Sequence, residues 1–197
     1  MTYVRRLAAS FLTILWGFSL SACVHMDGPY RGKVVELETG KPIEGAVVAA
    51  EWTIKVFAHY ERRCDLKETV TDKNGEFELP KGWCVSQPFA EVYKPQVVIF
   101  KPGYLGYPPL GYNQEQRRVY MPHFSGKEFR DKKQFNSLEL GRPNAREERE
   151  LTLGHAESLF SDNKAFKKLP ILHNLVNEEA RILGLGGIGP FENGGRK

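Results

Sequence analysis

A chain of 197 residues with 41% hydrophobic and 26% charged residues has the composition of one folded domain, or one domain with an appendage. Its formal charge of +4 falls to +2 if Arg5 and Arg6 leave with a processed N-terminal segment, a near-neutral balance that argues against a nucleic-acid binder. Neither G-x-x-x-x-G-K-[ST] nor a G-x-G-x-x-G following a strand occurs, so no phosphate-cradling loop is expected.

The chain begins with a basic stretch, MTYVRR, followed by the apolar LAASFLTILWGFSL and by Leu20-Ser21-Ala22-Cys23. A basic start, a short apolar core and small residues before a cut describe a secretory signal peptide over residues 1–22, too short for a comfortable membrane span. An uncleaved anchor helix with an incidental cysteine is the plainer alternative. Leu-Ser-Ala-Cys resembles the lipobox of bacterial lipoproteins, and the resemblance implies cleavage before Cys23 and acylation of that residue. The acyl chains would then be the membrane attachment, since no second apolar stretch is long enough to span. In many Gram-negative bacteria an Asp after the lipidated cysteine retains the protein in the inner membrane. Val24 at that position implies the outer membrane instead.

Residues 23–30 read as a tether. Alternation makes residues 32–37 a strand, ETGKPIEG a turn, and residues 46–57 a long strand buried over much of its length. HYERRCD is a polar loop. Two strands flank Asn74-Gly75, a pair that supplies the positive φ a tight hairpin requires. Asp72 and Asn74 carry oxygens that suit calcium, but one turn supplies too few of them, and shaping the turn accounts for both. EVYKPQVVIFKPGY is a further strand with Pro95 at an edge or bulge. Residues 31–122 then form the β domain, with strands expected at 117–121 and 135–140. Residues 123–184 make an extension with one further strand and two helices. The second helix runs over 170–183, with Leu172, Leu175, Val176, Ile182 and Leu183 on one face, Pro170 at its start and Gly184 just past its end. Residues 185–197 read as a flexible tail.

Cys64 and Cys84 are an even pair in a chain read as exported, which favours a disulfide. Each lies ten positions from Asn74, so an in-register hairpin would bring them together. Two buried thiols are the competing reading. A metal would need further ligands at short spacing, and neither cysteine has a C-x-x-C partner, so no metal site and no cofactor is expected.

GKVVELETGKPIEGAVV, TVTDKNGEFELP and VVIFKPGY, in that order, resemble the carboxypeptidase regulatory-like domain. The resemblance covers roughly residues 31–104. It implies a mainly β fold, a transthyretin-like sandwich, and brings no catalytic residues; the C-terminal helical extension lies outside the resemblance and rests on the reading of its own residues. Tyr30-Arg31-Gly32-Lys33 echoes the Tyr-Arg-Gly-Ser ending of the related hydroxyisourate hydrolases, but at the wrong end of the domain and without the serine.

The five histidines (His25, His59, His123, His155, His173) fall in five segments, with no H-E-x-x-H among them and no serine in a G-x-S-x-G elbow. The charged run Arg146 to Glu150 reads as a solvated helix face. Tyr104, Tyr107 and Tyr112, interleaved with Pro108 and Pro109, could stack on sugars or anchor a partner, or fold back over the open end of the sandwich. The expectation is a lipid-anchored, non-catalytic envelope module that binds an envelope protein or a polysaccharide. An architectural subunit docking its C-terminal helices on a partner is the second reading, and a hydrolase a distant third.

Overall fold

The computed structural model describes residues 23–56, 60–87, 90–93, 95–107 and 136–190. Nine strands are found there: β1 (Cys23–Asp27), β2 (Tyr30–Glu36), β3 (Val47–Val56), β4 (Tyr60–Val70), β5 (Glu76–Leu79), β6 (Gly82–Ser86), β7 (Glu91–Val92), β8 (Gln96–Phe100) and β9 (Asn136–Leu140). Three helices follow: α1 (Arg146–Glu157), α2 (Asn163–Lys168) and α3 (Pro170–Ile182). The fold is mainly β with a helical C-terminal region. The expected strand at 117–121 lies outside the described residues.

One sheet has the order β5-β2-β9, with β9 parallel to β2 and β5 antiparallel to it. A second is built on β3, which pairs with β4 along one edge and with β8 and then β7 along the other, and β1 and β6 form a separate two-stranded sheet. β7 and β8 replace the single strand expected over this run. Pro95 lies in the break between them, where its missing N–H costs no ladder bond.

Side-chain alternation gives β3 and β8 two apolar faces. Val48, Ala50, Trp52 and Ile54 of β3 and Val97 and Ile99 of β8 meet Val34, Phe77, Leu79, Leu138 and Leu140 of the other sheet. Val47, Ala49, Val98 and Phe100 point the opposite way, onto Leu153, Phe160, Leu172 and Val176 of the helical region. The order of layers is therefore sheet, sheet, helices.

α3 packs through Leu172, Val176, Ala180 and Leu183, with Leu175 partly buried beside them. Ile182, expected on that face, is 53% exposed. Glu179 takes the buried place, its carboxylate held by Arg149 of α1 through bonds of 2.7 and 2.9 Å. Arg149 thus leaves the solvated face expected of its segment and ties α1 to α3. α3 has no side-chain cap from its own N-cap residue. Glu68 of β4 supplies one, accepting from the N–H groups of Ile171 and Leu172 at 2.8 and 2.9 Å.

Further expectations are corrected. Residues 60–65, read as part of a polar loop, are the first half of β4. Residues 23–27 are a strand rather than part of a tether, paired antiparallel with β6. The Asn74-Gly75 turn is a corner between the sheets, because β4 belongs to the β3 sheet and β5 to the β2 sheet. Asp72 shapes that corner by accepting from the N–H groups of Asn74 and Glu76, at 2.8 and 2.9 Å. Gly75 has φ +75°, and a Cβ there would stand 2.4 Å from the Val34 carbonyl oxygen. The corner therefore demands glycine on both counts.

Gly82 of β6 lies against the Trp52 ring, and a Cβ would meet it at 2.3 Å. Gly154 sits inside α1 with nothing within 4 Å of a Cβ position. Gly82→Ala should destabilise the protein by about 1–3 kcal/mol or more. Gly154→Ala should stabilise it by roughly 0.5–1 kcal/mol. Equilibrium denaturation of the two variants checks both signs.

Candidate functional site

Tyr104 and Tyr107 follow β8 and lie at one end of the inter-sheet core, where both are partly buried against it. Tyr107 forms a β-bridge with Ile99, each N–H donating to the other's carbonyl at 2.9 and 3.0 Å. Tyr112 lies outside the described residues.

Tyr104 is the centre of a polar cluster. The Arg142 guanidinium carbon sits 4.2 Å from the ring centroid, and Nη2 donates to the phenol oxygen at 2.8 Å. Arg142 Nε bonds Glu36 Oε1 at 2.7 Å, and its backbone N–H donates to Glu38 Oε1 at 2.8 Å. The Thr39 hydroxyl donates to the other Glu36 oxygen at 2.6 Å. Three segments meet here: the end of β2 with its turn, the loop after β8, and the residues after β9. The Thr39 hydroxyl and then Arg142 hold the Glu36 carboxyl below its ordinary value of 4.5. Burial pushes the Tyr104 phenol up.

Beside this cluster an open cleft of about 390 Å³ runs along the start of α1, lined by Gly103, Asn144, Arg146, Arg149 and Ile182 among others. Both arginines are engaged. Arg146 bonds Glu150 and donates to the Leu183 carbonyl, and Arg149 holds Glu179. The cleft therefore presents paired guanidinium edges and the aliphatic Ile182, a surface suited to a polar partner with an apolar element.

Cys64 and Cys84 form a disulfide with Cα atoms 5.2 Å apart, joining β4 to β6. The pair is the one expected, but a hairpin register does not produce it. The β3–β4 register steps from Trp52↔Asp65 to Thr53↔Arg63, leaving Cys64 as the extra residue of a bulge. Its sulfur reaches Cys84, which is 1% exposed on β6. Asp65 reinforces the junction by accepting from the Trp83 N–H at 3.1 Å. Cys23 is a free, exposed cysteine at the head of β1, opposite Ser86.

The described histidines stand apart. His25 is on β1. His155 is half-buried on α1, and burial lowers its pKa. His173 of α3 packs on Phe160 and Phe166, with Nε2 2.9 Å from the Ile188 carbonyl. His59 and His123 lie outside the described residues. Among the described residues no three His, Cys, Asp or Glu side chains cluster to hold a metal, and no helix is long and apolar enough to cross a membrane. Glu36 and Arg142 were not legible as partners, because 106 positions separate them and neither sits in a motif.

Glu36 has a depressed pKa in the fold, so its contribution to stability is present above 4.5 and is lost as pH falls through the folded value. An NMR titration of the Glu36 side-chain carboxyl should give a midpoint below 4.5. Arg142→Ala should raise that midpoint towards the ordinary value. A midpoint indifferent to Arg142 would remove the guanidinium from the account.

No protein-family model, characterised protein or solved structure matches the chain.

Proposed function

We propose that this protein is a lipid-anchored, non-catalytic interaction module of the bacterial cell envelope, held to the outer membrane by acyl chains on Cys23. The Cys64–Cys84 disulfide carries the reading. A closed pair of this kind is characteristic of proteins that fold in an oxidising compartment outside the cytoplasm, which favours export. The order of basic, apolar and small residues ahead of Cys23 supplies the export route, and Cys23 is the cysteine left outside the bridge.

The body is assigned to the carboxypeptidase regulatory-like, transthyretin-like class. Two facing sheets sharing one core support this, together with the three turn-and-strand signatures between residues 31 and 104. The cleft beside Tyr104 is the docking place for an envelope protein or a polysaccharide. The architectural alternative draws on Ile171 and Ile182, 40% and 53% exposed near the two ends of α3. Most of that helix's apolar surface is already spent on the β3 sheet, which favours the cleft.

Metabolic labelling with an alkyne fatty acid should tag the wild-type protein, and Cys23→Ser should abolish both the tag and lipoprotein-type cleavage. Persistence of processing and label in the serine variant would overturn the anchor. A photo-crosslinking residue at Asn144, in the cleft, should give an envelope adduct that the same residue at Gly154 does not. Equal labelling from both sites would remove the cleft from the proposal.

A further inference from the structure

β1 and β6 form a two-stranded ribbon in which Val24 stands opposite Val85 and Met26 opposite Trp83. Alternation sends Cys84 and Ser86 inward, at 1% and 4% exposure. It sends the other four outward: Val24 58%, Met26 59%, Trp83 54% and Val85 54% exposed. An antiparallel ribbon with four large apolar side chains in two facing pairs is a contiguous patch, not a scatter of single residues. Its rim is basic and aromatic. Arg62 donates to the Val85 carbonyl at 3.2 Å, Tyr60 is 62% exposed two positions earlier on β4, and Lys81 precedes β6 in phase with Trp83 and Val85.

We propose that this ribbon face lies on the lipid bilayer, as a second membrane contact beside the acyl anchor. The inference rests on the proposed acylation of Cys23. Cys23 is the first residue of β1, so the anchor would join the fold with no linker. At about 3.3 Å per residue, Val24 and Met26 lie within roughly 10 Å of it along the strand. Cys23 pairs with Ser86 and so starts on the other face of β1, but it is exposed and is the first residue of the processed chain, so its acyl chains can turn round the strand end and hold the ribbon near the headgroups. A weak contact then closes as an intramolecular step. The composition suits that depth: tryptophan and tyrosine prefer the boundary between headgroups and acyl chains, and Arg62 and Lys81 suit anionic headgroups. The fold is therefore presented to the envelope in a fixed orientation rather than on a swinging leash.

Tryptophan fluorescence tests this in the whole processed protein. With Trp16 removed in the signal peptide, two tryptophans remain, and Trp52 is 1% exposed while Trp83 is 54% exposed. The protein is reconstituted in phosphatidylethanolamine–phosphatidylglycerol vesicles, with and without brominated acyl chains, and acylation of Cys23 is read by mass spectrometry on the same sample. Brominated lipid should quench a component that Trp83→Phe removes, and acrylamide should reach that component several-fold less well than in the unfolded protein. With Cys23 acylated, a Trp83 still open to acrylamide and untouched by bromine overturns the contact and leaves the anchor standing. Trp83 shielded from both quenchers also overturns it, by showing that protein covers the face. Without an acyl group on Cys23 the anchor reading fails. The contact then survives only if vesicle-bound protein still shows bromine quenching of Trp83, and falls if it does not.

Discussion

The structure depends on β3 being buried on both faces. A strand in a sheet normally spends one face on a core and shows the other to water. Here Val48, Ala50, Trp52 and Ile54 fill the space between the sheets, while Val47 and Ala49 carry the helices. Burial on both sides leaves room for few polar side chains, so this run reads as nearly continuous apolar sequence. The small Ala49 and Ala50 let both neighbouring layers approach the same backbone. The C-terminal helices are thus part of the β domain's packing rather than an attachment to it.

Polar interactions then decide how the outer pieces sit. Glu68 reaches from β4 to the start of α3, and Arg149 meets the buried Glu179 between α1 and α3. Each fixes a helix against a neighbour by satisfying groups that burial would leave costly. Removing Arg149 would leave the buried Glu179 carboxylate uncompensated, which is strongly destabilising. On the same strand β4, the Cys64–Cys84 bridge and Asp65 lock the β1–β6 ribbon in place.

Much of the β body was legible because local sequence carries it. The apolar run from Ala46, the Asp72–Gly75 turn and the Pro170 and Gly184 ends of α3 each encode their own geometry within a few residues. What escaped was non-local. β1 reads as a polar tether in CVHMD, and only its pairing with β6 makes it a strand. Asn74-Gly75 specifies a reversal and says nothing about whether its two arms stay in one sheet, and here they do not. Ile182 looked buried on periodicity, yet Glu179 holds the inward position because Arg149 is there to meet it. In the candidate site the tyrosines could be named, but Glu36 and Arg142, which fix Tyr104, come from ends of the domain that only folding joins.

A protein built this way presents two different surfaces, a cleft beside α1 and the ribbon face beside Cys23, from one rigid body. That rigidity requires the two cores to stand or fall together. Native-state amide hydrogen exchange tests it most directly. The amides of β3 around Val47 to Ala50 and those of α3 around Val176 and Ala180 should exchange with one opening free energy, equal to that of global unfolding. If the α3 amides exchange through a lower-energy opening while β2 and β3 stay protected, the helices are a separable layer and the account is wrong.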